Sequence, residues 1–386
     1  MMIGLILLLS TAGLSARVQL SNEAKISLLT CSPGEELYSV FGHSALRVCD
    51  PSNQLDLVFN YGTFDFNTSY FYFKFGHGNL NYMLSVGQFQ HFLPGYVIEN
   101  RSMTESVLNL KPDERQKLFD ALLVNAQPQN RDYRYDFFYD NCATRIRDMV
   151  VASIDGKVII PDHSSHNLTM RQLYGQYLKR SLWTQFGIHL LLGMKSDVAS
   201  TPYTEMYLPD YLDAQFDNMR IVRTDSLPTQ LVASKVVLLE KEPQPIVTDL
   251  WSPRLVLGIF MVLIILISLM EWKMKWNLIA FDRFLFLVTG LLGCLLAYLC
   301  FISKHTATTW NFNLLWAMPT LLILTFTAKN TQLFKILAFA SFIGTILFIA
   351  GFEFIPQEFP RGIFFLVSGL AIRFGMNSVY EKYFKK

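Results

Sequence analysis

The chain has 386 residues, more than a single domain ordinarily holds, and a formal net charge of only +2. So small a charge argues against a nucleic-acid partner. Charged residues are spread evenly before Trp251 but are confined to gaps between apolar runs after it, so two regions built for different surroundings are expected.

At the N-terminus, Ile3–Leu9 is an apolar core followed by small residues from Ser10 to Ala16, the pattern of a signal peptide over 1–16. No Lys or Arg precedes Arg17, so the true start is expected upstream of Met1. Residues 17–185 are expected to form an exported domain. Ile26–Thr30 reads as a strand, and Ser32-Pro33-Gly34-Glu35 as a turn. Leu28-Leu29-Thr30-Cys31 is a poor lipoprotein box, because Thr precedes the Cys and no apolar segment adjoins it. From His43 the sequence alternates, with His43, Ala45, Arg47 and Cys49 on one face. Leu55–Tyr61 is the expected partner strand. Lys111-Pro112-Asp113-Glu114 opens a helix that buries Leu118, Leu122 and Leu123. Residues 186–250 carry weak signals and read as an extension or linker to the membrane.

The sharpest chemistry lies between Tyr135 and Asp148. Asp140 and Asn141 are good N-cap residues, and Ile146, Met149 and Val150 continue at helical spacing. Cys142 is therefore expected in the first turn of a helix, where free N–H groups and the macrodipole favour a thiolate. Such a thiolate is a nucleophile for an acyl carbonyl if a histidine can move protons. A buried structural cysteine is the competing reading. His43 is the best histidine candidate: it opens a strand, follows Gly42 and precedes small residues. His77, His91, His163, His166 and His189 read as surface residues. No pair has zinc spacing, and neither a metal nor a cofactor is implied. In an oxidising compartment Cys31 and Cys49 are free to pair, leaving Cys142 alone. Cys294 and Cys300 fall in an apolar run as small apolar residues.

After Trp251, five runs suit membrane spans: Leu255–Met270, Phe284–Ile302, Leu314–Ala328, Ile336–Phe352 and Gly362–Met376. Lys273, Lys275, Arg283, Lys329 and Lys335 occupy alternate gaps, and Lys382, Lys385 and Lys386 close the chain. The positive-inside bias then makes the C-terminus cytoplasmic and sets the N-terminal domain outside.

Several stretches together resemble a known family. Leu28 to Gly34, Phe41-Gly42-His43-Ser44-Ala45, Phe59 to Phe66, and Phe138-Tyr139-Asp140-Asn141-Cys142 are similar to the Lnb-type lipoprotein N-acyltransferases. His305-Thr306 and Trp310 to Pro319 resemble the hallmark of that family's five-helix membrane domain. The resemblance implies an α+β, permuted papain-like exported domain, followed by an all-α five-helix transmembrane bundle over 251–386. It implies a transacylase of the cytoplasmic membrane, acting on diacylglyceryl-modified lipoproteins and membrane lipid, with Cys142 as nucleophile and His43 as base. Asn60 and Asp65 are the candidates to orient His43. Tyr61, Asn141 and Arg145, with His305, Trp310 and Asn313 on an outward loop, are the expected substrate contacts, although Tyr61 suits the core equally and the loop residues suit interfacial anchors (Trp310) and helix caps equally. The rival readings are a cysteine peptidase or amidase using the same pair, and a non-catalytic membrane scaffold.

Overall fold

The computed structural model describes residues 18–160, 166–224, 227–242 and 250–378. The expected signal peptide, His163 and the three C-terminal lysines lie outside the described residues.

The first strands follow the alternation closely: β1 (Lys25–Cys31), β2 (His43–Asp50) and β3 (Leu55–Thr63). They are followed by β4 (Asn81–Gln88), β5 (Met103–Leu108) and β6 (Asp132–Arg134). A small second sheet holds β7 (Lys157–Ile159), β8 (Arg220–Val222) and β9 (Thr229–Gln230). Then β10 (Val232–Leu239) returns to the first sheet, which runs β10-β5-β1-β2-β3-β4-β6 with antiparallel neighbours. Residues 186–250, read from sequence as an extension or linker to the membrane, carry regular structure. That segment supplies the edge strand β10, whose pairing with β5 is long-range and leaves only a weak local pattern.

Among the described residues, seven α-helices accompany the sheets: α1 (Phe71–His77), α2 (Phe89–Ile98), α3 (Pro112–Asn125), α4 (Cys142–Ser153), α5 (Met170–Gly175), α6 (Leu182–Leu191) and α7 (Pro209–Asn218). Because strand side chains alternate, the sheet buries two different faces. Leu46, Val48, Phe59 and Tyr61 pack with Leu118, Phe119 and Leu122 of α3, Ile146 and Val150 of α4, and Phe216 of α7. Each of these buried side chains contributes roughly 1.5–3 kcal/mol of transfer free energy. On the other face Ala45, Val58, Leu29 and Met103 meet Phe89, Phe92 and Tyr96 of α2.

The Cys31–Cys49 pairing that an oxidising compartment would permit does not occur. Register places Cys31 opposite His43 and Cys49 opposite Lys25, at opposite ends of the β1–β2 ladder, about 20 Å apart at ~3.4 Å per residue. Both thiols are free.

The C-terminal region is helical: α8 (Pro253–Met274), α9 (Ile279–Phe301), α10 (Leu321–Phe326), α11 (Gln332–Gly351) and α12 (Ile363–Ser378). The chain is thus an α+β domain followed by a helical membrane domain. Among the described residues α8, α9 and α11 are long and apolar enough to cross a bilayer, and α12 is a shorter apolar helix. The third expected span is not a continuous helix. Pro319 cannot extend a helix from the preceding turn, so α10 starts after it and covers only six residues, about 9 Å of rise against a hydrocarbon core of about 30 Å.

The helices are clasped by buried ions that sequence reading did not bring together. Arg373 of α12 bonds Asp282 of α9 at 2.6 Å and Glu271 of α8 at 2.7 Å, while Lys329 reaches Asp282 at 3.1 Å. Arg373→Met takes the arginine from buried Glu271 and leaves Asp282 with Lys329 alone, so a loss of about 3–5 kcal/mol is expected. Lys235→Met breaks two partly exposed pairs, to Asp213 and Asp217, and is expected to cost about 1 kcal/mol or less. Thermal unfolding of the two detergent-solubilised variants checks the contrast.

Candidate active site

Asn141 is the N-cap of α4, and its side chain uses all of its hydrogen-bonding capacity. Oδ1 accepts the N–H groups of Ala143 (2.9 Å) and Thr144 (3.0 Å). Nδ2 donates to the carbonyls of Phe137 and Tyr207, each at 2.8 Å. Thr144 Oγ1 accepts the Asn141 N–H at 2.8 Å, completing a capping box. This pins the start of the helix, and Cys142 is its first residue, only 9% exposed.

His43, the first residue of β2, stands beside Cys142. Its Nε2–H donates to Asn60 Oδ1 of β3 at 2.6 Å, which leaves Nδ1 for the sulfur. Gly62 (φ +89°) makes the approach possible. A Cβ there would lie 3.5 Å from Cys142 Cβ and 3.9 Å from His43 Cε1.

The electrostatics single out one thiol. Burial acts most strongly on Cys142 and opposes ionisation, but the His43 charge and hydrogen bond, with the N–H groups of Ser44 and Ala143, bring it below the usual thiol range. Burial likewise opposes the charged form of His43, yet the Cys142 charge and the hydrogen bonds to Cys142 and Asn60 raise it. Both directions favour a thiolate–imidazolium pair. By contrast burial pushes Cys31 up to about 12, and burial followed by Asp56 raises Cys49.

The other expected site residues divide sharply. Asn60 meets His43, whereas Asp65 is exposed and accepts the N–H of Asn67 at 2.8 Å in a local turn. Tyr61 points into the core, its hydroxyl donating to Asn125 at 2.5 Å. Asn141 is a cap, with no hydrogen-bonding atom left for substrate. Arg145 is occupied by a bidentate pair with Asp140 (2.6 and 2.9 Å) and stacks 3.6 Å over Tyr133.

His305 and Asn313 brace the two domains. His305 Nε2 bonds the Phe75 carbonyl of α1 at 2.9 Å. Asn313 is fully buried and donates to the Leu190 carbonyl of α6 at 3.1 Å, while accepting the Trp316 indole N–H at 3.0 Å. Trp310 is 63% exposed beside this seam. On the same loop Thr306 donates to Asp136 at 2.7 Å, in the turn that leads to Cys142. His77 and His189 are not surface residues: His77 Nδ1 meets Tyr298 of α9 at 2.7 Å, and His189 is buried.

Tyr133 is a site residue that sequence reading missed. It is buried, its hydroxyl has no hydrogen-bond partner among the described residues, and that oxygen lies 4.0 Å from the Cβ position of Gly62, beside the reacting pair. Its only signal is the period-two spacing of Tyr133 and Tyr135.

An α+β domain seated on membrane helices, with a thiol–imidazole pair near the seam, defines a membrane protein with a candidate cysteine nucleophile. Residues 15–179 match the family model of the Lnb N-terminal periplasmic domain, and residues 245–385 match that of the Lnb transmembrane domain. The chain belongs to the Lnb-type family: an inner-membrane, lipoprotein-modifying protein with a periplasmic domain. No curated protein and no solved structure matches it.

Because the Cys142 thiol lies below its ordinary range, its alkylation by iodoacetamide is expected to stay fast below the ~8.5 of a free cysteine. His43→Ala should move the inflection upward, as removing the imidazolium favours the thiol. A pH series with peptide mapping checks both.

Proposed function

We propose that the protein is a lipoprotein N-acyltransferase that works through a Cys142 thioester. The pairing that carries this reading is Cys142 with His43 and Asn60, the one lowered thiol among the described exported cysteines. The His-before-Cys order suits a permuted papain-like enzyme.

The chemistry closes without a cofactor. The Cys142 thiolate attacks the carbonyl carbon of a glyceryl ester, with His43 holding the proton. The oxyanion is met by the Cys142 N–H, which has no intrahelical partner at the helix start, and by the Tyr133 hydroxyl. The carbon–oxygen bond breaks, and His43 gives its proton to the departing glyceryl oxygen. The α-amine of the lipoprotein's terminal cysteine then attacks the thioester. His43 takes the amine proton, and Cys142 leaves as thiolate, restoring the pair. Asn60 keeps the imidazole ring oriented for both transfers.

The surroundings favour a lipid substrate over a wall peptide. The segment after Gly62 carries an exposed aromatic set, with Phe66, Tyr70, Tyr72 and Phe73 all more than half exposed. It runs into α1, which is tied to the end of α9 through His77 and Tyr298. An acyl chain costs about 0.8 kcal/mol per CH₂ to withdraw from a bilayer, so a site beside apolar rings at the membrane end suits its chemistry. In the same reading the C-terminus is cytoplasmic.

The test is mass spectrometry of a lipoprotein's N-terminal lipopeptide in a deletion strain carrying wild type or a variant. The N-acyl group should return with wild type and be absent with Cys142→Ser. His43→Ala should lower the rate of transfer by about 10²–10⁴-fold. Asn60→Leu should lower it about tenfold, the worth of one hydrogen bond of ~1.5 kcal/mol. An unchanged lipopeptide throughout would exclude the acyltransferase.

A further inference from the structure

We propose that a second site, away from Cys142, holds the phosphate of a phospholipid headgroup in the cleft where α6 meets the starts of α8 and α12. The proposal stands independently of the acyl-transfer chemistry. The cleft encloses about 410 Å³ and is lined by Gln185, His189, Ser252, Arg254, Glu358 and Arg361, with Phe186 and Phe359 among its apolar walls. That volume lies in the range of small-molecule sites, about 300–1,000 Å³.

Its charge pattern calls for an anion. A helix N-terminus carries the positive end of the macrodipole, so acids ordinarily occupy the first turn. Neither α8 nor α12 has an acid there. Instead each brings an arginine: Arg254 is the second residue of α8, and Arg361 lies two residues before α12. The two starts abut, since a Cβ on Gly362 (φ +93°) would stand 2.8 Å from Arg254 Cα. Two cations and two dipole ends thus converge.

Little within the protein offsets them. No ion pair or hydrogen bond engages the Arg254 or Arg361 side chain among the described residues. Glu358, the one carboxylate among the lining residues, accepts the Gln172 amide at 3.0 Å. Gln185 donates to the Gly175 carbonyl, and Ser252 accepts the Leu255 N–H as the α8 cap.

A second observation points to a missing ligand. His189 lines the cleft, is only 6% exposed, and its Nε2 has no hydrogen-bond partner among the described residues. Burial, then the charges of Arg171 and Arg361, pushes its pKa down to about 4. The neutral ring is free to donate one hydrogen bond to a phosphate oxygen beside the two guanidinium groups.

The position favours a lipid over free phosphate. Trp183 donates its indole N–H to the Trp251 carbonyl at 2.8 Å, and both rings are substantially exposed, as in an interfacial belt. Beyond them Leu255 and Ile259 of α8 and Phe364 of α12 are exposed along the helices, where acyl chains would lie.

Native mass spectrometry of the full-length protein tests this, comparing phosphatidylglycerol, diacylglycerol and inorganic phosphate as probes. Wild type is expected to retain one phosphatidylglycerol and no diacylglycerol. Arg254→Gln with Arg361→Gln should weaken retention by at least about tenfold, the loss of one charge-assisted hydrogen bond. Arg361→Gln alone, outside the helices, serves if the double variant does not fold, and should weaken retention in the same direction. Equal retention of diacylglycerol, or undiminished retention by the variants, overturns the proposal. Displacement of the lipid by millimolar inorganic phosphate assigns the cleft to free phosphate and overturns the lipid assignment.

Discussion

The Asn141 amide decides where α4 begins, and the chemistry of Cys142 depends on that decision. Two acceptor and two donor positions are all used, tying the first turn of α4 to the Phe137 turn on one side and to Tyr207 on the other. A thiol one turn further along would lose the free N–H groups at the helix start and would sit away from His43. The cap is worth about 1 kcal/mol as a local interaction, but its larger effect is positional. It holds a buried sulfur against an imidazole whose other nitrogen is already committed to Asn60. Burial alone would make both groups neutral; their mutual attraction, assisted by backbone N–H groups, reverses this.

The membrane domain contributes to that geometry rather than merely holding the protein at the bilayer. The loop after α9 reaches the Cys142 segment through Thr306 and Asp136, and it braces α1 through His305 and α6 through Asn311 and Asn313. Buried amides are costly unless satisfied, and here each is satisfied by a carbonyl or amide across the seam. Phe138, Tyr174 and Tyr207, with Phe41 and Phe137 packed against them, form an aromatic cluster that also meets Ala307 of the same loop. The two domains therefore share one packed boundary close to the reacting pair.

Much of this was legible in the sequence because the signals are local. Strand alternation from His43 and the Asp140-Asn141 cap gave β2 and the start of α4 directly, and charge spacing gave the membrane region. Long-range contacts were not legible. Asn60 and Asp65 are equally polar in sequence, and only the β2–β3 ladder brings the first to His43. Arg145 looked available for substrate, yet Asp140, five residues earlier, closes on it. His189 read as a surface residue, yet the packing of α5 and α6 buries it. The Leu314–Ala328 run has the apolar content of a span, but Pro319 and the Asn313 bonds to α6 break it into a turn and a short helix. The edge strand β10 was hidden because its partner β5 lies more than a hundred residues away.

The most direct test of the account is the intact mass of the full-length protein after incubation with a diacylglyceryl lipopeptide whose α-amine is blocked. With no acceptor, the thioester should accumulate. One acyl increment is expected on Cys142, released by neutral hydroxylamine and absent from Cys142→Ser. Full-rate N-acylation of the unblocked lipopeptide by Cys142→Ser would contradict the account, because the acyl group would then reach the amine without passing through that sulfur.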